Sequence, residues 1–166
     1  MSKKPVWADW DHHQKYRQIH KNREDYCRQG NLRAADRKGR EVFLDGRYIT
    51  DIPSFYLSLG EALNGENGYF GACLDSLHDC LFGGFGVAPP FTIHITTAPD
   101  IECALGKLAW VRMNLERRLK MCEQDESIEQ LQEWGVFDAV ELPDRTFFSE
   151  LEEMFSDMGV TLRVYD

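Results

Sequence analysis

GENGYFGACLDSLHDCLFGGFG, residues 65–86, is the stretch on which the reading of this chain turns. A glycine-broken loop leads into a short mixed run, and glycine-containing turns close it. The spacing predicts a helix over 72–82, since helical residues advance by about 100° each. On that wheel Leu74, Leu77 and Leu81 share one flank, with Cys73 and Cys80 beside them, an arc apolar enough to be buried. Asp75 and Asp79 point the other way, one turn apart, with His78 and Phe82 alongside. Like charges at i and i+4 repel, by about 0.2–0.5 kcal/mol in an isolated helix. Asp75 is close enough to the helix N-terminus to be stabilised by it, whereas Asp79 lies a turn too late. An aromatic beside two self-repelling carboxylates is a costly solvated face. Short helices nevertheless carry exposed aspartates routinely, and spacing alone favours that plainer reading.

Outward from this helix the chain alternates strands and helices. Upstream, 41–44 reads as a strand, Asp45–Gly46 as a turn, and 47–49 as a short return strand. Asp51, or the pair Pro53–Ser54, starts a helix that carries Phe55, Leu57, Leu59 and Leu63 to Asn64–Gly65. Downstream, Pro89–Pro90 precede an alternating strand over 91–95, in which His94 points away from Ile93 and Ile95 as an incidental histidine at a sheet face or edge. A long helix is expected over 101–124, striped by Leu105, Leu108, Val111, Leu115 and Leu119, with Arg117, Arg118 and Lys120 on a solvated face. Ser127 caps a shorter helix through Trp134, with Gly135 as its stop. The last helix spans 146–158, Gly159 ends it, and Val160, Leu162 and Val164 form a third strand. Strands separated by helices imply an α/β fold with a small, mainly parallel sheet.

At 166 residues, 43% hydrophobic and 28% charged, the chain suits one domain with appendages. The net charge of −9 conceals an asymmetry: residues 1–40 carry +6 and residues 41–166 carry −15. An acidic body repels nucleic acid and attracts basic partners. We therefore divide the chain into a basic N-terminal extension over 1–40 and an acidic domain over 41–166. Within the extension, 1–9 reads as irregular, and Tyr16, Ile19, Tyr26 and Cys27 recur at helical spacing over 10–29. That helix either folds over its own acidic body or touches RNA, and it carries no RNA-binding signature.

Five cysteines (Cys27, Cys73, Cys80, Cys103, Cys122) include no CxxC pair, which argues against a disulfide framework or a zinc site. No HExxH motif occurs among the histidines His12, His13, His20, His78 and His94. Neither a metal nor a cofactor is expected. No apolar run reaches the roughly 20 residues of a membrane span, and the start MSKKPVWADW lacks the apolar stretch of a secretory signal. The expected location is the cytoplasm.

With Tyr69–Phe70–Gly71 leading into Leu74–Asp75–Ser76–Leu77–His78–Asp79–Cys80–Leu81, the sequence resembles the barstar family of ribonuclease inhibitors. The resemblance runs from Asp45–Gly46 through Gly83 and Pro90 to the 91–95 strand, and more loosely over 147–164. It implies a three-stranded parallel sheet flanked by helices, with an enlarged helical region near 100–145 that lies outside the match. It also implies a mechanism, in which the helix after the aromatic–glycine loop plugs a nuclease active site. Asp79 would enter the cationic pocket that holds the RNA phosphate, and Asp75 would pair with neighbouring basic groups. Tyr69 and His78 would pack against the enzyme, with Gly71 and Phe82 in the same surface and Gly83 allowing close approach. A glutamate of the last helix, Glu150, Glu152 or Glu153, would add to the contact. His78 stands where the family's namesake has a tryptophan, and it can become cationic beside Asp79. Cys73 stands where asparagine is usual.

The chemistry suits the residue types, because a carboxylate matches a phosphate's charge and accepts charge-assisted hydrogen bonds from Arg and Lys. The expected function is therefore inhibition of a basic ribonuclease toxin in a 1:1 complex, as an immunity protein. The alternative is a non-catalytic module that binds another basic protein, or RNA through the 1–40 arm. Catalysis is not expected, since no nucleophile or phosphate loop accompanies Asp75, His78 and Asp79.

Overall fold

The computed structural model describes residues 3–30, 35–121 and 144–166. Three parallel strands, β1 (Glu41–Asp45), β2 (Phe91–Thr96) and β3 (Val160–Val164), lie side by side in the order β1-β2-β3. Val42 pairs with Ile93 and Ile93 with Leu162, so one row of apolar side chains crosses the sheet. Because side chains alternate across a strand, Val42, Leu44, Phe91, Ile93, Ile95 and Val160 enter the core. On the opposite face His94, on the central strand, is sandwiched between the rings of Phe43 and Tyr165 at 4.6 and 5.8 Å. His94 thus sits on a sheet face, where Nδ1 also meets the Tyr165 hydroxyl at 3.0 Å.

Helix α1 (His12–Arg28) precedes the sheet, and α2 (Ile52–Asn64) follows β1. Asp51 caps α2 by accepting from the Ser54 amide at 2.9 Å, and the Ser54 hydroxyl accepts in return from the Asp51 amide at 3.0 Å. Apolar residues surround α2 on all sides, as expected of a helix between layers. It packs on β1 and on α1, and Phe55, Tyr56, Leu57, Leu59 and Leu63 are all buried. Helix α3 (Leu74–Leu81) leads to β2, then α4 (Ile101–Ala104) and α5 (Lys107–Met121) follow. Thr146 caps α6 (Phe147–Asp157), which packs on β3. No described helix is long and apolar enough to cross a membrane.

The N-terminal extension folds over the body. A turn at Val6–Asp9 buries Trp7, whose indole N–H donates to Glu61 Oε1 at 2.9 Å. In α1, Ile19 joins the common core, and Lys15 is 3% exposed, donating to Asp51 Oδ2 at 3.0 Å and Thr50 Oγ1 at 3.2 Å. Much of the extension's apolar surface and one of its cations are therefore committed within the chain.

Two expected elements differ. Residues 47–49 do not return as a strand; Gly46–Tyr48 form a tight 3-10 turn. Asp45 folds the chain there by accepting from the Arg47 amide at 3.2 Å and pairing with its guanidinium at 2.6 Å, and β1 pairs with β2 instead. The helix expected over 101–124 is broken after Ala104, and α5 begins at Lys107. The break shifts the phase of the leucine stripe, so Leu105 is buried but Leu108 is 74% exposed. The face that packs inward carries Ala109, Trp110 and Met113. The expected 127–134 helix, the side chains of Arg117, Arg118 and Lys120, and Cys122 lie outside the described residues.

Candidate partner-binding surface

Helix α3 is held by its inner face. Leu77, Cys80 and Leu81 are buried in the core, and Leu74 packs against it from a half-buried position. The helix starts where Ser76 reaches back, its hydroxyl accepting from the amides of Ala72 and Cys73 at 2.8 and 3.0 Å. Gly71, at φ +98°, brings the aromatic loop against this first turn, where an added Cβ would stand 3.0–3.1 Å from Leu77. Cys73 is corrected from the expected buried arc: it is the residue before the first helical turn, extended at φ −153°, and it is exposed. Cys80 is buried, and burial, with Asp79 adding to it, pushes its thiol up to about 12, so it stays protonated.

The outer face presents Asp75, His78, Asp79 and Phe82, all exposed. Phe82 is 72% exposed and meets the His78 ring edge-on at 5.0 Å. Asp79 makes no ion pair among the described residues. Across from His78, α6 contributes Glu150, Glu153 and Asp157, and with Arg145, Met154 and Met158 they line a cleft of about 230 Å³. Arg145 clasps both glutamates, at 2.7 Å to Glu150 and 2.9 Å to Glu153. Of the three glutamates singled out in the sequence, Glu150 and Glu153 thus stand beside His78, and Glu152 does not line this cleft.

Three expected contact residues are not free outward surface: Gly71 is buried, and Tyr69 and Gly83 are approached from within the chain. Tyr69 is 3% exposed because Tyr26 of α1 and Phe85 cover its ring, at centroid distances of 6.4 and 6.0 Å. It supports the loop from beneath and offers no free surface. Gly83 is approached from within the chain: a Cβ there would stand 2.8 Å from Asp36 Oδ2. Its φ of +115° is what demands glycine there, and the close neighbour is Asp36 of the extension. Sequence spacing contained no sign of Asp36, Arg145 or the covering role of Tyr26, since each acts across 8 to 58 positions of chain.

A larger cleft of about 650 Å³ shares no lining residue with this face. In its wall His12 Nε2 lies 3.4 Å from Glu116, its Nδ1 lies 3.9 Å from Asp51, and Lys15 pairs with the same aspartate. Lys15 and Asp51 compensate one another in this wall. Among the described residues no group of three or more His, Cys, Asp and Glu side chains has the arrangement to hold a metal ion.

A family model described as Barstar (barnase inhibitor) matches residues 39–130, more than half of the chain. That span runs from just before β1 through α5 and contains all of α3. No curated protein and no solved structure matches the chain.

Proposed function

This chain belongs to the barstar family, and from that membership we propose that it inhibits a ribonuclease by seating the acidic face of α3 in the enzyme's cationic active site. Asp79 takes the place of an RNA phosphate there, and Asp75 pairs with basic groups at the rim. Phe82 and His78 supply apolar and aromatic contact between them. The observation that carries this reading is the division of α3 into two faces: Leu77, Cys80 and Leu81 anchor it, and both aspartates and Phe82 remain in solvent. An acidic helix fixed by one side and open on the other suits docking better than it suits stability. The carboxylates of α6 widen the negative surface, and the −15 charge of residues 41–166 accelerates encounter with a basic enzyme. The partner is a basic ribonuclease toxin bound 1:1, and the protein acts in the cytoplasm as an immunity factor for the cell that makes the toxin.

Asp75→Ala with Asp79→Ala tests this directly. Each lost charge-assisted contact costs about 1.5–3 kcal/mol, so binding should weaken by roughly 10- to 100-fold per site. Circular dichroism and thermal unfolding should remain close to wild type, because both side chains are exposed. Co-expression with nucleases encoded beside the gene, scored by growth, identifies the partner. A folded double mutant that still rescues growth and inhibits as wild type does removes the proposal.

A further inference from the structure

The turn after α3 contains three left-handed glycines, Gly83 (φ +115°), Gly84 (φ +86°) and Gly86 (φ +88°). Such a segment has little conformational preference of its own and loses much freedom when it is ordered. The Gly83 amide bonds back to Cys80 and Asn64 of α2 donates to the Phe85 carbonyl, but the backbone groups of Gly84 and Gly86 go to the extension. Asp36 accepts from the Gly84 amide at 2.8 Å through Oδ2 and from the Gly86 amide at 3.0 Å through Oδ1. The Tyr26 hydroxyl donates to the Gly84 carbonyl at 2.6 Å. Arg37 donates twice to the Gly86 carbonyl, from its amide and from Nε, both at 3.0 Å, and its own carbonyl accepts from Ala88. Its guanidinium then reaches the Leu63 carbonyl and Asn64 at the end of α2. None of Tyr26, Asp36 and Arg37 falls within the residues that match the family model.

We propose that Tyr26, Asp36 and Arg37 are positioning residues, a strap from the N-terminal extension that fixes the turn after α3 and with it the exposed end of the helix at Phe82. The proposal rests on the inhibitor reading for its consequence, and it identifies what the extension adds to the family's domain. A single carboxylate bridging two amides makes charge-assisted bonds, and no other described side chain replaces them. With the turn ordered before encounter, a partner does not bear the entropy of ordering it. The strap therefore acts on how long a complex lasts more than on how fast it forms.

Two measurements separate the strap from the inhibitor reading. In the free protein, Asp36→Ala should increase amide exchange at Gly84 and Gly86 and leave α2 protected, while Asp36→Asn, which retains an acceptor oxygen, should fall between. With barnase as the probe, Asp36→Ala should raise the dissociation rate about tenfold, the equivalent of one such hydrogen bond, with association within about twofold of Asp36→Asn. Tyr26→Phe keeps the ring over Phe85 and removes the hydroxyl that donates to Gly84, so it should shift dissociation in the same direction by less. Unchanged exchange at Gly84 and Gly86 in Asp36→Ala overturns the strap. So does faster exchange with a wild-type dissociation rate. A wild-type protein that leaves barnase unbound counts against the inhibitor reading for that enzyme, and exchange alone then decides whether the strap holds the turn.

Discussion

Lys15 shows how a formal charge loses its ordinary meaning once its neighbours are known. In sequence it belongs to a basic arm, yet in the fold it is 3% exposed and reaches Asp51, the residue that caps α2. Burial works against ionisation of Asp51, but hydrogen bonds from Ser54 and Lys15 outweigh it and hold the carboxyl below its ordinary 3.8. Glu116 is shifted the same way, burial being outweighed by Arg112 and His12. A group whose pKa is lower in the folded state stabilises above its unfolded pKa, and that stability is lost as pH falls through the folded value. Unfolding temperature should therefore drop as pH falls below about 4, and Asp51→Asn should flatten that drop while lowering stability at neutral pH. An acid limb as steep in Asp51→Asn as in wild type would show that the pair contributes nothing. Sequence spacing made Asp75, Asp79, His78 and Phe82 legible as an outer face because a helix imposes a period. It could not place Tyr69 or Lys15, whose exposure depends on an α1 that packs from far along the chain.

Among the elements, α3 has its two faces in two different media, and the proposed function assigns stability to one and binding to the other. Leu77→Ala empties a fully buried site and should cost about 2–5 kcal/mol of stability. Phe82→Ala removes a mostly exposed ring and should change stability by no more than about 0.5 kcal/mol, while weakening ribonuclease inhibition. Paired chemical denaturation and inhibition assays distinguish these effects; a Phe82→Ala variant as potent as wild type would take that ring out of the interface. The elements most legible in sequence were those with both a period and a stop. The helix started by Asp51 or Pro53–Ser54 had a terminal Asn–Gly, and 146–158 had a closing glycine; the fold adds Asp51 and Thr146 as their caps. Where a helical period ran on without a stop, over 101–124, the break falls at Gly106, where a Cβ would press against the Glu102 carbonyl. The short strand expected at 47–49 failed for the opposite reason, because Asp45 gave Arg47 a local partner more favourable than a neighbouring strand.

For the molecule as a whole, the question is whether residues 39 onward, where the family model begins, are a sufficient unit. Charge composition set a basic arm beside an acidic domain, either folded over it or touching RNA, and no residue pattern connected Trp7 with Glu61 or Lys15 with Asp51. The fold makes those connections, and Trp7 and Ile19 belong to the same core as the sheet. Removing residues 1–38 takes away a buried tryptophan, worth about 3–5 kcal/mol when truncated. It also leaves Asp51 without its lysine, at about 3 kcal/mol, the lower end for a broken buried pair because Asp51 retains some solvent. It uncovers Tyr69 and frees the glycine turn after α3 as well. Even if only about 5 kcal/mol of this is realised, the unfolding temperature of a 39–166 fragment should fall by roughly 10–20 °C. Total stabilities of about 5–15 kcal/mol leave little reserve against such a loss. The 1–166 chain and the fragment should be compared by calorimetry at equal concentration. If the fragment melts within a few degrees of the whole chain, the extension is an accessory to a self-sufficient domain. If it melts far lower, the acidic face of α3 depends for its shape on residues outside the span that matches the family model.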